Sequence, residues 1–409
     1  MKQKARFLGL AVGCVTLMGT SAYVLSQQRQ PTPLKVLEVV SHAAKPQQRA
    51  FSRERLRQLK MPTGFRINVF ATGLRNPRVM AVAPDGTVYV TRRDQNDVVM
   101  LRDRNGDGRA DQMRVVASNL PFVHGIALRG NRLYFAATRR LWTARLRPDG
   151  TVSKPQLRLD DLPDMGQHPN PTLAFGPDRM LYMSVGSTCN SCNEPNDENA
   201  TILRIQPDTL RRTVHASGLR NTIGFDWNRT TREMWGMDNG RDLLGDDLPP
   251  EELNRILPGR NYGWPFAFGN KQTDGVLFPN HPKGSMTQRE FVAKSQAPLL
   301  TYQAHSAPMT MAFYHGSQFP AEYRGDAFVA MRGSWNRNPP TGYKIVRIRF
   351  QDGKPKRIED FLSGFLIEGG RAFFARPVGV AVARDGALLI SDDTNGVIYR
   401  VLYQGGQSS

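Results

Sequence analysis

With 409 residues, 40% of them apolar and 22% charged, the chain has the make-up of a soluble globular protein and not of a disordered one. It is long enough for a large core, and length alone permits two or three domains. Lysine and arginine outnumber the acids 55 to 36, a formal charge of +19 that suits nucleic acid, an anionic surface, or simply a solvated basic face.

Residues 1–26 read as an export signal. Lys2, Lys4 and Arg6 precede an apolar stretch from Phe7 to Met18, and Thr20-Ser21-Ala22 offers a small-residue cleavage site. The stretch is shorter than the roughly 20 residues of a transmembrane helix. Ala11-Val12-Gly13-Cys14 resembles a lipoprotein box with Ala where Leu is usual, so a lipidated or an uncleaved N-terminal anchor is the alternative to cleavage. A periplasmic or otherwise exported protein has little call to meet nucleic acid, and losing the three signal cations takes the charge from +19 to +16. Residues 27–60 form a basic linker with one short helix expected from Ser52 to Leu59. Residues 61–403 carry a repeat, and 404–409 are a tail.

Phe65 to Phe70 alternates apolar and polar residues, as a half-buried strand does. A three-residue word, apolar–small–apolar, then occurs six times. The copies are Met80-Ala81-Val82, Ile126-Ala127-Leu128, Leu173-Ala174-Phe175, Ile223-Gly224-Phe225, Met311-Ala312-Phe313 and Val380-Ala381-Val382, spaced by 46, 47, 50, 88 and 69 residues. Most are followed by a turn (Asp85-Gly86, Gly130-Asn131, Pro177-Asp178, Asp385-Gly386) and a second apolar run (Val88–Val90, Leu133–Phe135, Leu181–Met183, Met234–Gly236, Leu388–Ile390). Strand–turn–strand units near 45 residues predict an all-β, six-bladed β-propeller of four-stranded antiparallel blades. The fifth copy leads into a longer, irregular connection. The long gap before it holds an insertion near residues 239–305, rich in Gly, Pro and Asn.

Two local motifs stand out along the repeat. Asp103, Asn105, Asp107 and Asp111, with Gly106 at the sixth position, follow a calcium-loop pattern, but Arg114 stands where the bidentate Glu belongs. A structural calcium and a bare hairpin joining Val98–Leu101 to Met113–Ala117 both fit. Cys189 and Cys192 close a small disulfide loop in an oxidising compartment. No further ligands sit at zinc spacing, and Asn193 stands where a c-type haem needs His.

In a propeller the chain reaches every inner strand from one face, so the residues just before the six words should converge on the axis. They include Arg78, His124, His168, Asn170, Arg220, Asn221, His305 and Arg376. A ring of cationic and amide groups around a cup suits an anionic or polar ligand; taken singly, the Asn-Pro, His-Pro and Arg-Pro pairs are also ordinary turn chemistry.

These stretches resemble the quinoprotein sugar dehydrogenases, soluble glucose dehydrogenase and more closely the L-sorbosone dehydrogenase group, over about residues 61–403. The resemblance rests on His168-Pro169-Asn170-Pro171, Gly218-Leu219-Arg220-Asn221, Glu251–Ile256 running to Asn261-Tyr262-Gly263-Trp264-Pro265, Arg332–Asn336 and Arg376–Val380. It implies a six-bladed propeller that holds pyrroloquinoline quinone (PQQ) over its axis with calcium, and a small-molecule sugar or aldehyde substrate. It also implies an external electron acceptor, a cytochrome or a quinone. By position, His168 matches the general base. Arg220 and Asn221 match the pair facing the cofactor. Arg332 stands where the family has a Lys, and Arg376 matches a carboxylate-binding Arg. The family's bridging calcium, held by main-chain oxygens, aligns with Gly240 and Arg241, and a second calcium with Glu252 and Tyr262. Gln167 replaces an Asp of the glucose enzyme and Phe374 a second cofactor Arg, so glucose itself is a poor expectation. A calcium-dependent propeller lactonase and a non-catalytic binding propeller are the alternatives.

Overall fold

The alternating runs fold as strands, and the strands assemble into six four-stranded antiparallel sheets. A computed structural model describes residues 42–274, 282, 284 and 286–405; the expected signal, the start of the linker and residues 406–409 of the tail lie outside them. The six repeated words fall in the first strands of the blades: Pro77–Val82, Gly125–Arg129, Leu173–Phe175, Gly224–Trp227, Pro308–Phe313 and Pro377–Val382. The expected second runs are the next strands, Val88–Arg92, Arg132–Ala137, Leu181–Val185, Met234–Asp238 and Leu388–Asp392. Blade 5 supplies Ala327–Met331 after a connection containing a 3-10 turn, Ala321–Tyr323. The expected helix near residue 52 is a 3-10 segment, Glu54–Gln58.

Every joint between neighbouring blades carries a hydrogen bond. Thr91 Oγ1 donates to His124 O (2.8 Å), and His124 Nδ1 to Pro171 O (3.0 Å). Ser187 N reaches Arg220 O (2.8 Å), and Asn239 Nδ2 reaches Pro308 O (2.9 Å). Thr310 Oγ1 reaches Val378 O (2.9 Å), and Ser391 Oγ closes the circle on Arg78 O (2.6 Å). The ring is also closed by strand pairing. Phe65–Ala71, from the start of the repeat region, is the outer strand of blade 6 and pairs with Val397–Tyr403 at the end of the chain. Blade 6 is thus built from both ends of the repeat region, with Phe65–Ala71 as its edge strand.

Small residues in the inner strands have a steric cause. A Cβ on Gly224 would overlap the Met309 carbonyl of blade 5, and one on Gly379 the Arg78 carbonyl of blade 1. A Cβ on Gly125 would sit 2.8 Å from Pro171 O. Inner strands approach one another closely because they line a narrow axis.

The stretch 239–305 corrects the expectation of an insertion. It contains two blade strands, Glu251–Ile256 and Leu300–Tyr302, which complete blade 4. Among the described residues, the regular elements added to that frame are the hairpin Ala267–Phe268 with Gln272–Thr273 and the helix Gln288–Lys294. Glu251–Ile256 hides as a strand because Glu251, Glu252 and Asn254 occupy buried positions where the pattern calls for apolar side chains. Among the described residues no helix is long and apolar enough to cross a membrane.

Gly224→Ala and Gly379→Ala should each destabilise the protein by about 1–3 kcal/mol, the usual cost of overpacking, read from urea denaturation. Parent-like stability in both would contradict the close inner-strand approach.

Candidate active site

The first strand of a blade runs away from one face and the second returns to it. Residues before the first strand and after the second therefore meet at the same mouth of the axis. They enclose a cup of about 340 Å³ lined by Arg78, His168, Asn170, Arg220, Asn221, Glu251, His305, Arg332 and Arg376. Ile223 and Met309 are among its apolar lining, and Trp335, 43% exposed, stands beside it.

Three histidines reach this region, and hydrogen bonds separate their roles. His124 is buried, donates from Nδ1 to Pro171 O, and accepts Arg78 Nη2 at Nε2 (3.2 Å). His305 donates from Nε2 to Gly245 O (2.8 Å) and accepts Asn336 Nδ2 at Nδ1 (3.2 Å). His168 differs. Its Nδ1 lies 2.9 Å from Ser187 O, which can only accept, so Nδ1 carries the proton. Ser187 Oγ lies 2.8 Å from the same nitrogen and gives its own proton to Cys189 O (2.8 Å). The Nε2 of His168 has no partner among the described residues and is left with a basic lone pair. Burial, then the nearby Arg220 guanidinium, hold the ring down to about 3, so it is neutral at neutral pH.

The arginines divide into two groups. Arg220, 3% exposed, is fully engaged by protein: Nε donates to Asn190 O (3.0 Å), Nη2 to Asn190 Oδ1 (2.9 Å) and Asp242 Oδ2 (3.1 Å), and Nη1 to Gly240 O (2.9 Å). Across the cup, Arg78 and Arg332 share one carboxylate, Asp393, with Arg332 at 2.9 Å. Burial pushes Asp393 up, but Arg78, Arg332 and Arg376 outweigh it and hold the carboxyl below its ordinary range. Arg376 donates Nη2 to Gly333 O (2.8 Å) and lies beside the Tyr343 and Phe373 rings. Burial and then the repulsion of neighbouring arginines bring Arg78 and Arg376 down to about 10, still charged. Four guanidiniums thus meet two ion-pair carboxylates, Asp242 and Asp393, and Glu251 is pushed up to about 8 by burial. The cup carries surplus positive charge. Arg78 Nε and Asn170 Oδ1 are buried there without partners among the described residues.

Behind Arg220 lies a cluster of buried acids. Asp238 accepts the backbone N–H of Arg220 (3.0 Å) and of Asn221 (2.8 Å) and fixes that pair at the mouth. Asp238, Glu252 and Asp274, with Tyr262, line a cavity of about 20 Å³, the size for a single small occupant. Burial raises Asp238 to about 6 and Glu252 to about 8. Arg241 pairs with Asp274 at 3.2 Å. The Tyr262 hydroxyl is occupied by Leu257 N and Arg255 O, so it is not free to ligate.

Of the sequence candidates, His168, Arg220, Asn221, Gly240, Arg332 and Arg376 meet in the cup, while Arg241, Glu252 and Tyr262 gather at the small cavity behind it. Asp103, Asn105, Asp107 and Asp111 do not converge on a common point. Asp103 accepts Gly106 N and Gly108 N, and Asp111 binds Arg104. They form an exposed hairpin between Asp97–Arg102 and Gln112–Ala117. Cys189 and Cys192 are joined. Sequence reasoning missed Asp393, Asp242 and the orienting contact of Ser187. All three follow second strands, which return to the mouth, whereas the repeated word points only to what precedes first strands.

The chain belongs to the TrAA12-like family, whose model matches residues 59–404. It is 29% identical to an uncharacterised protein of Borreliella burgdorferi over 85% of this chain and 91% of that one. It is 25% identical to a pyrroloquinoline quinone-dependent pyranose dehydrogenase of Coprinopsis cinerea over 85% of this chain, and spans 55% of that enzyme's length. Its fold matches the Trichoderma reesei carbohydrate-active enzyme of family AA12 (TM-score 0.72, 21% identity, 85% of this chain and 98% of that chain). It also matches the PQQ domain of the Coprinopsis cinerea pyranose dehydrogenase (0.71, 22%, 87% and 98%). The expected resemblance to quinoprotein sugar dehydrogenases is thereby borne out at the level of family and fold.

Replacing Asp393 by Ala leaves the buried Arg78 and the half-buried Arg332 guanidiniums without their shared anion. The expected loss is about 3–5 kcal/mol of unfolding free energy, measured by denaturant titration; a parent-like value would show that the cup tolerates its arginines unpaired.

Proposed function

We propose that the protein is an exported PQQ-dependent dehydrogenase that oxidises a sugar, a sugar aldehyde or a polyol. The observation that carries this reading is the pairing, in one cup, of surplus guanidinium charge with a neutral histidine whose free Nε2 is the only unpartnered imidazole nitrogen of the three at the mouth. PQQ carries three carboxylates and, when bound, supplies an ortho-quinone that accepts a hydride. Arg78, Arg332 and Arg376 suit the carboxylates, which forked guanidiniums bind well, and the unpartnered Arg78 Nε and Asn170 Oδ1 offer further polar contacts. His168 Nε2 would take the proton of the reacting hydroxyl. An anion in the cup would raise its basicity from the low value set by burial and Arg220.

Calcium fits the blade 4 side. Gly240 lies at the cup and Arg241 at the small cavity behind it, where the buried Asp238–Glu252–Asp274 cluster is a hard-oxygen environment. Burial raises Asp238 and Glu252, and a bound divalent cation would offset that cost. The sugar and an external electron acceptor, a cytochrome or a quinone, would both approach the mouth beside Trp335. The Cys189–Cys192 bond supports an oxidising, periplasmic setting. A lactonase would need several carboxylates free to converge on the axis; four guanidiniums stand there, Asp242 is paired with Arg220, and Asp238, Glu252 and Asp274 lie behind.

Purified protein should gain dye-linked dehydrogenase activity toward sugars when PQQ and calcium are added together. No PQQ binding by absorption spectroscopy would sink the proposal. His168→Gln should keep the bound cofactor and lower kcat by about 10²–10⁴-fold; retained turnover would assign the base elsewhere. Calcium should raise the melting temperature of the parent, and Glu252→Gln should reduce that rise. An equal rise in the variant would place the ion elsewhere.

A further inference from the structure

The disulfide loop sits between the two halves of the site. Its N-terminal side meets the histidine: Gly186 packs so closely on His168 that a Cβ there would lie 2.5 Å from the histidine Cβ. Ser187, fully buried, presents both its carbonyl and its hydroxyl to His168 Nδ1, and that hydroxyl is anchored on the Cys189 carbonyl. Its middle meets the arginine. The Asn190 carbonyl accepts Arg220 Nε and its side-chain oxygen accepts both Arg220 Nη2 and the Asp242 backbone N–H (2.7 Å). Its Nδ2 donates to Asp242 O (3.0 Å). On its outer side Thr188 ties the loop to Glu194 through two bonds, 2.9 Å and 2.8 Å.

A staple that served only local stability would leave the loop's polar groups turned toward solvent or toward each other. Here Ser187 turns its carbonyl and hydroxyl to His168, with Cys189 O holding that hydroxyl, and Asn190 turns to Arg220 and to the loop carrying Gly240 and Asp242. One short stretch thus supports both the proposed base and the arginine that depresses it. Neither contact is made by an element of regular structure; the loop is held by the Cys189–Cys192 staple together with its bonds to Glu194, Arg220 and Asp242.

We propose that the Cys189–Cys192 loop is a positioning element for the site, with Ser187 fixing His168 as the Nδ1–H tautomer and Asn190 fixing Arg220 against Asp242. Its consequence for turnover rests on the dehydrogenase reading, but the positioning itself does not. Second contacts of this kind commonly alter affinity or activity by about 10–100-fold when removed.

The test uses cofactor-free protein labelled with ¹⁵N-histidine, in which the His168 Nδ1–H signal reports the contact to Ser187. Opening the loop, in C189S/C192S or by treating the parent with dithiothreitol, should displace or broaden that signal. Dithiothreitol supplies two electrons and two protons as it closes to its cyclic disulfide, and the cystine becomes two thiols. Reoxidation should restore the parent spectrum. Asn190→Ala should weaken PQQ binding by about tenfold or more while the cofactor-free melting temperature stays near that of the parent. A parent-like histidine signal in both opened forms, or parent-like PQQ affinity in Asn190→Ala, overturns the inference. If the parent itself binds no PQQ, the functional reading falls while the histidine signal still decides the positioning role.

Discussion

Asp393 makes the cup affordable. Arg78 and Arg332 are brought to the axis from blades 1 and 5, and Arg376 joins them from blade 6; burial, and then the charge of Arg332, lower Arg78 and Arg376. A single buried carboxylate shared by two of them offsets part of the repulsion and leaves the rest as surplus positive charge. Neutralising all of it would give a more stable protein with no reason to bind an anion. The ring geometry makes the crowding unavoidable, since every blade delivers its loop ends to the same few ångströms of space, and the hydrogen bonds at all six joints hold them there.

The opposite wall is built on different lines. Arg220 is saturated by protein carbonyls and by Asn190 and Asp242, so its charge is fixed and not available for reorientation. Beside it His168 is forced neutral. The cup therefore has a side suited to carboxylates and a side suited to a proton transfer, and the apolar Ile223 and Met309 contribute to the lining between them. On the proposed reading, that asymmetry would orient an anionic cofactor, with Arg332 and Arg376 to hold its charged groups and His168 left to face its reacting end.

How much of this was legible in the sequence follows from where the information lies. First and second strands were legible because local alternation and turn residues encode them. Outer strands were less so. Glu251–Ile256 carries buried acids, and the strand Phe65–Ala71, although recognised as a strand, gave no sign that its partner is Val397–Tyr403 more than 300 residues later. The arginines and His168 were visible because they precede the repeated words, and resemblance supplied Arg332 and the Gly240–Arg241 turn. Asp393 was not visible: an acid after a strand looks like any turn residue until the ring brings Arg78 to it. The Cys189–Cys192 spacing suggested a staple, but what the staple holds depends on Arg220 and Asp242, which lie 30 or more residues further along the chain.

The account turns on an anion-binding cup that accepts PQQ. Equilibrium dialysis of the purified protein against PQQ, with calcium present and at two salt concentrations, tests this most directly. The account predicts one PQQ per chain, bound more weakly at the higher salt and more weakly again when Arg376 is replaced by Gln. Binding that is absent, that exceeds one per chain, or that ignores both salt and Arg376 would contradict it.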